Sequence, residues 1–149
     1  FRRATAATAA YKIDGLQYAE GQTAVSSAWA IVHSTFMHPN HGGGKANKDP
    51  LIVARRWTAP MDCNRARVIL NVRRLSIASN GVQWCLVKNG TEILWSGEFI
   101  ETDPVNKQEN LDLHPIVIKA GDTIEFRLGA RGDAGSDSTG VWMRVLGVI

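Results

Sequence analysis

Hydrophobic and polar residues alternate with a period of two along much of this chain, most clearly between Val82 and Leu128. Residues 81–88 and 91–97 are β-rich runs joined by Asn89-Gly90. Asn-Gly between such runs predicts a two-residue hairpin, because a type I′ turn needs positive φ at both central positions. Lys119-Ala-Gly-Asp122 then turns the chain into residues 123–128, where Ile124, Phe126 and Leu128 alternate with Glu125 and Arg127. Successive side chains of a strand point to opposite faces, so this spacing predicts sheet with one buried face.

The same pattern predicts strands at 28–33, 51–57 (ending at Thr58-Ala-Pro60), 66–75, 98–100, 111–113, 116–118 and 141–149. His114-Pro115 between two of these bends or breaks the strand, or places it at a sheet edge. Residues 37–50, 101–110 and 130–140 read as loops, rich in Gly, Pro, Asn and Asp. Residues 1–27 are rich in Ala, Thr, Ser, Gly and Gln and read as an N-terminal linker or peripheral segment. Residues 28–149 then form the folded domain, an all-β, antiparallel, jelly-roll-like sandwich of about eight strands. Its first and last strands are both apolar and are expected to pair with each other inside one sheet. The expected core contains Trp84, Leu86, Ile93, Trp95, Ile124, Phe126 and Leu128, with Trp57 beside it. Each buried aromatic there removes roughly 150–250 Å² from water.

The alternate positions carry the candidate chemistry. Arg67, Asn71 and Arg73 share one face of their strand, Gln83 points away from Trp84, and Glu125 and Arg127 point away from Phe126. Together on one sheet, such side chains would hydrogen-bond sugar hydroxyls or grip carboxylates. Trp29 and Trp142 are candidate platforms for sugar rings. The plainer alternatives are the solvated side of an antiparallel sheet, or an arginine-rich subunit interface.

Composition narrows the field. At 149 residues and 44% hydrophobic the chain fits a single globular domain. A net charge of +3, from 17 basic and 14 acidic side chains, is too mild for a nucleic-acid-binding stripe. No apolar run approaches the roughly 18 residues of a membrane span, and the first residues lack the apolar stretch of a signal peptide. The start at Phe1 reads as that of a fragment or a processed product. Cys63 and Cys85 are too few for a disulfide scaffold and read as small buried hydrophobes.

No catalytic apparatus is legible. His33, His38 and His41 lie in a segment broken by Pro39 and Gly42, with no cysteine or acidic cluster to complete a zinc site. His41-Gly-Gly-Gly44 has no Gly-x-Ser-x-Gly partner. Arg131-Gly-Asp133 is a short chance match, and Glu98 and Glu101 have no context for glycoside hydrolysis. Asp133 and Asp137 are candidate oxygen ligands for a structural Ca²⁺, although the spacing is not that of an EF-hand.

From Arg55 onward the order of turn and core signals resembles jelly-roll carbohydrate-binding modules attached to secreted polysaccharide-active proteins. The matching pieces are Arg55-Arg-Trp-Thr-Ala-Pro60, Asn80-Gly-Val82, Lys88-Asn-Gly90, Ile93-Leu-Trp95, Lys119-Ala-Gly-Asp-Thr-Ile-Glu-Phe126 and Asp137-Ser-Thr139. Similar domains end the trimeric tailspikes of bacteriophages. The resemblance implies a non-catalytic, glycan-binding module of an extracellular or virion protein, with any polysaccharide-degrading activity elsewhere in a longer parent. The chain departs from the pattern at Cys63, where a turn glycine is usual, and in the loop 38–49. The shared pieces are structural and transfer no ligand contact. A structural oligomerisation or capping domain, trimeric and without a ligand of its own, is the main alternative; a small hydrolase or lyase is a third.

Overall fold

The computed structural model describes residues 4–5, 31–32, 35–39, 51–131 and 136–147. They form β1 (Ala4–Thr5), β2 (Ile31–Val32), β3 (Phe36–His38), β4 (Leu51–Thr58), β5 (Cys63–Arg74), β6 (Gly81–Lys88), β7 (Glu92–Ile100), β8 (Gln108–Ile118), β9 (Thr123–Ala130) and β10 (Thr139–Leu146). One sheet has the order β1-β4-β9-β6-β7 and the other β2-β3-β10-β5-β8. All pairings are antiparallel. From β3 to β10, only the β6–β7 hairpin stays within a sheet; every other connection crosses between the two. This is the strand order of a jelly roll, formed by the eight strands β3–β10, which matches the expected number of about eight.

The core forms where the inward positions of the two sheets meet. Val68, Leu70 and Val72 of β5 and Val141 of β10 face Trp84, Leu86, Ile124, Phe126 and Leu128 of the other sheet. Trp84 packs against Phe99 at 4.6 Å and Trp95 at 5.8 Å between ring centroids. Trp57 is half-buried against the same cluster. The predicted hairpin turn forms at Asn89 (φ 51°) and Gly90 (φ 80°), but Lys88 pairs with Glu92, so the loop has three residues, 89–91, and not two.

The structure departs from the sequence reading in four places. Ile93 is 66% exposed. A register shift between Leu86 and Val87 pairs Leu86 with Trp95 but Val87 with Ile93. The extra residue reverses the alternation, turning Ile93 outward. Phe36–His38 forms β3, where residues from 37 onward read as loop; it bridges β2 and β10, so the first and last expected strands share a sheet without touching. Residues 98–100 are the end of β7 and not a separate strand. Residues 108–110 belong to β8, which runs unbroken through His114-Pro115 at the edge of its sheet. Two bulges against β5, at Cys63–Ala66 and Ala66–Val68, absorb the irregularity. At the N-terminal end, Ala4–Thr5 pairs with Ile52 and Leu51 of β4.

Carboxylates fasten the turns. Asp103 accepts from Lys107 Nζ at 2.9 Å and from the Ile100 amide at 2.8 Å. Asp122 accepts from the Lys119 amide at 2.9 Å and from Asn89 Nδ2 at 2.9 Å. The Lys107 bond foremost holds Asp103, and the Lys119 amide foremost holds Asp122, below the usual carboxylate range. A lowered folded-state pKa favours folding once the unfolded carboxylate has ionised, and that contribution disappears as pH falls through the folded value. The unfolding midpoint is therefore expected to be nearly flat between about pH 5 and 7 and to fall below about pH 4. Calorimetry across that range checks this; a midpoint that rises on acidification contradicts it.

Candidate functional site

The antiparallel register of β8, β5 and β10 builds an ordered outer face on the second sheet. Asn71 of β5 stands between Asn110 of β8 and Trp142 of β10. In the next row Arg73 stands between Gln108 and Gly140; on the other side Ile69 stands between Asp112 and Arg144. These residues point outward because Val68, Leu70, Val72 and Val141, their alternates, are committed to the core.

The polar groups are arranged, not merely exposed. Asn71 Nδ2 donates to Gln108 Oε1 at 2.9 Å and to Asn110 Oδ1 at 2.8 Å. These two bonds orient the ladder, leaving the Asn71 carbonyl oxygen and the Gln108 and Asn110 amide nitrogens for an outside partner. Arg67 and Asp112 form a two-pronged pair, Nε to Oδ1 at 2.7 Å and Nη2 to Oδ2 at 2.5 Å. Each partner favours the other's charged form, raising the Arg67 pKa and lowering that of Asp112. Both are exposed, so the pair orients more than it stabilises. Trp142 is 45% exposed, an unusual state for an indole, and the Arg144 guanidinium lies 4.9 Å from its ring centroid. An aromatic face beside oriented amides provides one apolar contact and several directed hydrogen bonds, a combination suited to a ring with hydroxyls on its rim.

The structure brings together Arg67, Asn71, Arg73 and Trp142 but separates them from Gln83 and Arg127. Those two lie on β6 and β9, on the outer side of the opposite sheet. The single-sheet grouping expected from the alternation therefore does not form: strand parity says which residues share a face of one strand, not which strands share a sheet. Arg127 is also engaged, donating from Nε to Glu125 Oε2 at 2.8 Å and from Nη2 to the Gly90 carbonyl at 3.1 Å. Glu125 is 0% exposed although it points away from the core, because Arg56 and Arg127 both close over it. This ionic group fastens the β6–β7 turn to β9.

Trp29 and Asp133 lie outside the described residues. Asp137, the other half of the suggested calcium pair, is enclosed, and its Oδ1 accepts from Ser79 Oγ at 2.5 Å. Among the described residues no three His, Cys, Asp or Glu side chains gather as a metal centre. Cys63 and Cys85 are half-buried thiols on different sheets, not joined by a disulfide. Burial foremost pushes the Cys85 pKa up.

Gln108, Asn110, Asp112 and Arg144 were not legible as site residues. A signal was present in Gln108-Glu-Asn-Leu-Asp-Leu113, where polar 108, 110 and 112 alternate with apolar 111 and 113. Its polarity gives the first half of that stretch the look of a loop.

No protein-family profile and no curated protein matches the chain. Among solved structures, one described as carbohydrate-binding module CBM36 in complex with calcium and xylotriose is similar, at 16% identity and a TM-score of 0.31. The match covers 69% of this chain and 83% of the other. A likeness this distant transfers no ligand, and the functional reading below rests on the chain's own residues.

Proposed function

We propose that this chain is a non-catalytic carbohydrate-binding module of a longer extracellular or virion protein, and that it holds glycan on the outer face of the β2-β3-β10-β5-β8 sheet. The observation that carries this reading is the row Trp142–Asn71–Asn110, a half-exposed indole beside a pre-oriented amide ladder. In this reading a sugar ring stacks on Trp142 while its hydroxyls bond to Asn71, Asn110 and Gln108. The sequence resemblance is what supports the extracellular or virion setting, including a terminal position on a trimeric tailspike.

Titration calorimetry against a panel of oligosaccharides tests the proposal. Trp142→Ala is expected to weaken binding about tenfold, equivalent to about 1.4 kcal/mol, with the unfolding midpoint nearly unchanged because the ring is half outside. Millimolar glycan without heat, together with a sedimentation mass of three chains that Trp142→Ala reduces to one, would reassign this face to a subunit interface.

A further inference from the structure

The outer face of the second sheet carries more positive charge than its own carboxylates balance. Asp112 is taken up by Arg67. Arg73 and Arg144 remain, both exposed, and among the described residues neither forms an ion pair. They flank the indole. The register places Arg73 opposite Gly140, two residues before Trp142, and places Arg144 two residues after it. Both side chains sit close in: Arg144 lies over the ring at 4.9 Å, and Arg73 runs beside Gly140, its Nε 3.6 Å from where a Cβ on that glycine would stand. The space over Gly140 is taken by the Arg73 side chain itself and by Leu75, whose Cδ2 lies 3.5 Å from the same Cβ position. Four residues of strand separate the two arginine positions, about 14 Å at about 3.4 Å per residue, with Trp142 at the midpoint.

Two exposed guanidiniums without a carboxylate partner, one on each side of an aromatic ring, are open to an anionic partner. A guanidinium also gives a carboxylate or sulfate paired, directed N–H bonds that a neutral hydroxyl cannot match. The Arg144–Trp142 contact does not prevent stacking, since a cation over an exposed ring is held by only about 0.5–1 kcal/mol. A sugar ring that takes over the indole face leaves the displaced guanidinium close to the ring's substituents.

We infer that the glycan taken by this face is anionic, its acidic groups meeting Arg73 and Arg144 on either side of the ring stacked on Trp142. The inference rests on the carbohydrate-binding reading above and specifies the class of sugar.

Two matched pairs of probes test it: oligogalacturonate against its methyl ester, and a sulfated galactan oligosaccharide against its desulfated form. Within each pair the backbone is constant and only the charge changes. The charged member of at least one pair is expected to bind at least about tenfold more tightly than its neutral form. Arg73→Gln and Arg144→Gln are each expected to weaken that member about three- to tenfold while leaving the neutral form nearly unaffected. Raising salt from about 0.05 to 0.5 M should narrow the gap within the pair. Lys119→Gln, at a turn where Lys119 pairs with Asp62, should have no effect. Preference for the uronate pair identifies a carboxylate ligand, and preference for the galactan pair a sulfate ligand. Equal binding of charged and neutral members, lost in Trp142→Ala, would overturn the inference and leave the carbohydrate-binding reading in place. No binding by these probes or by the neutral panel would remove both.

Discussion

Replacing Arg74 with alanine is expected to lower the unfolding midpoint by roughly 6–20 °C, corresponding to a loss of about 3–5 kcal/mol. Arg74 ends β5 facing inward and is 2% exposed, a rare position for an arginine. Its guanidinium donates to the carbonyls of Ile100 at 2.7 Å, Glu101 at 3.0 Å, Ser79 at 2.7 Å and Ser76 at 3.0 Å, and also to that of Asp103. The first three belong to the end of β7 and the approach to β6, in the opposite sheet, so one side chain fastens the connections at this end of the sandwich. Alanine removes the donor and leaves several carbonyls turned toward a space without one. Each buried group left unpaired costs about 1–3 kcal/mol, and local rearrangement recovers part of the sum. Arg74→Lys keeps the charge but not the planar fork and should fall between. Thermal unfolding decides the matter; an alanine variant within about 2 °C of the parent would show that the carbonyls find other partners.

Gly81→Ala is expected to cost about 3 kcal/mol or more, for two additive reasons. Gly81 has φ +120°, a conformation closed to most side chains, and a Cβ there would stand 2.4 Å from the Phe99 carbonyl oxygen. That oxygen belongs to the neighbouring strand, where Gly81 pairs with Ile100, so it cannot swing aside without breaking the β6–β7 ladder. Gly121 separates the two causes. It too has positive φ, at +85°, but nothing lies within 4 Å of its Cβ position. Gly121→Ala should therefore show the backbone strain alone, about 1 kcal/mol. Denaturant unfolding of the two variants measures the difference. Equal losses would mean that the contact with Phe99 relaxes freely.

The fold was legible because its signals are local. Alternation in 66–75, 81–88 and 123–128, together with Asn89-Gly90, fixes strands and a turn within a few residues of each other. Where the reading failed, a non-local influence intervened. The bulge that exposes Ile93 arises from pairing between β6 and β7, and no property of Ile93 itself announces it. The strand character of Gln108–Asn110 depends on Asn71 and Arg73 of β5 lying alongside. The burial of Arg74 is not legible either, because the carbonyls that enclose it come from loops up to 29 positions away in sequence.

The candidate site was half legible for the same reason. Arg67, Asn71 and Arg73 lie on one strand, so alternation alone groups them. Trp142 joins them because β10 lies against β5, while Gln83 and Arg127 are lost to the opposite sheet; both outcomes are set by topology. Arg127 also acquires a structural role that depends on Glu125 being buried beneath it.

The sugar is proposed to bind on the sheet carrying Trp142, and not on the sheet carrying Arg127. The most direct measurement is an amide and indole NMR titration with the oligosaccharide that binds most tightly. Saturable shifts are expected at the Trp142 indole and at Asn71, Arg73, Gln108, Asn110 and Arg144, with Gln83 and Arg127 unmoved. Shifts centred on Gln83 and Arg127, with the Trp142 indole silent at saturation, would contradict this placement.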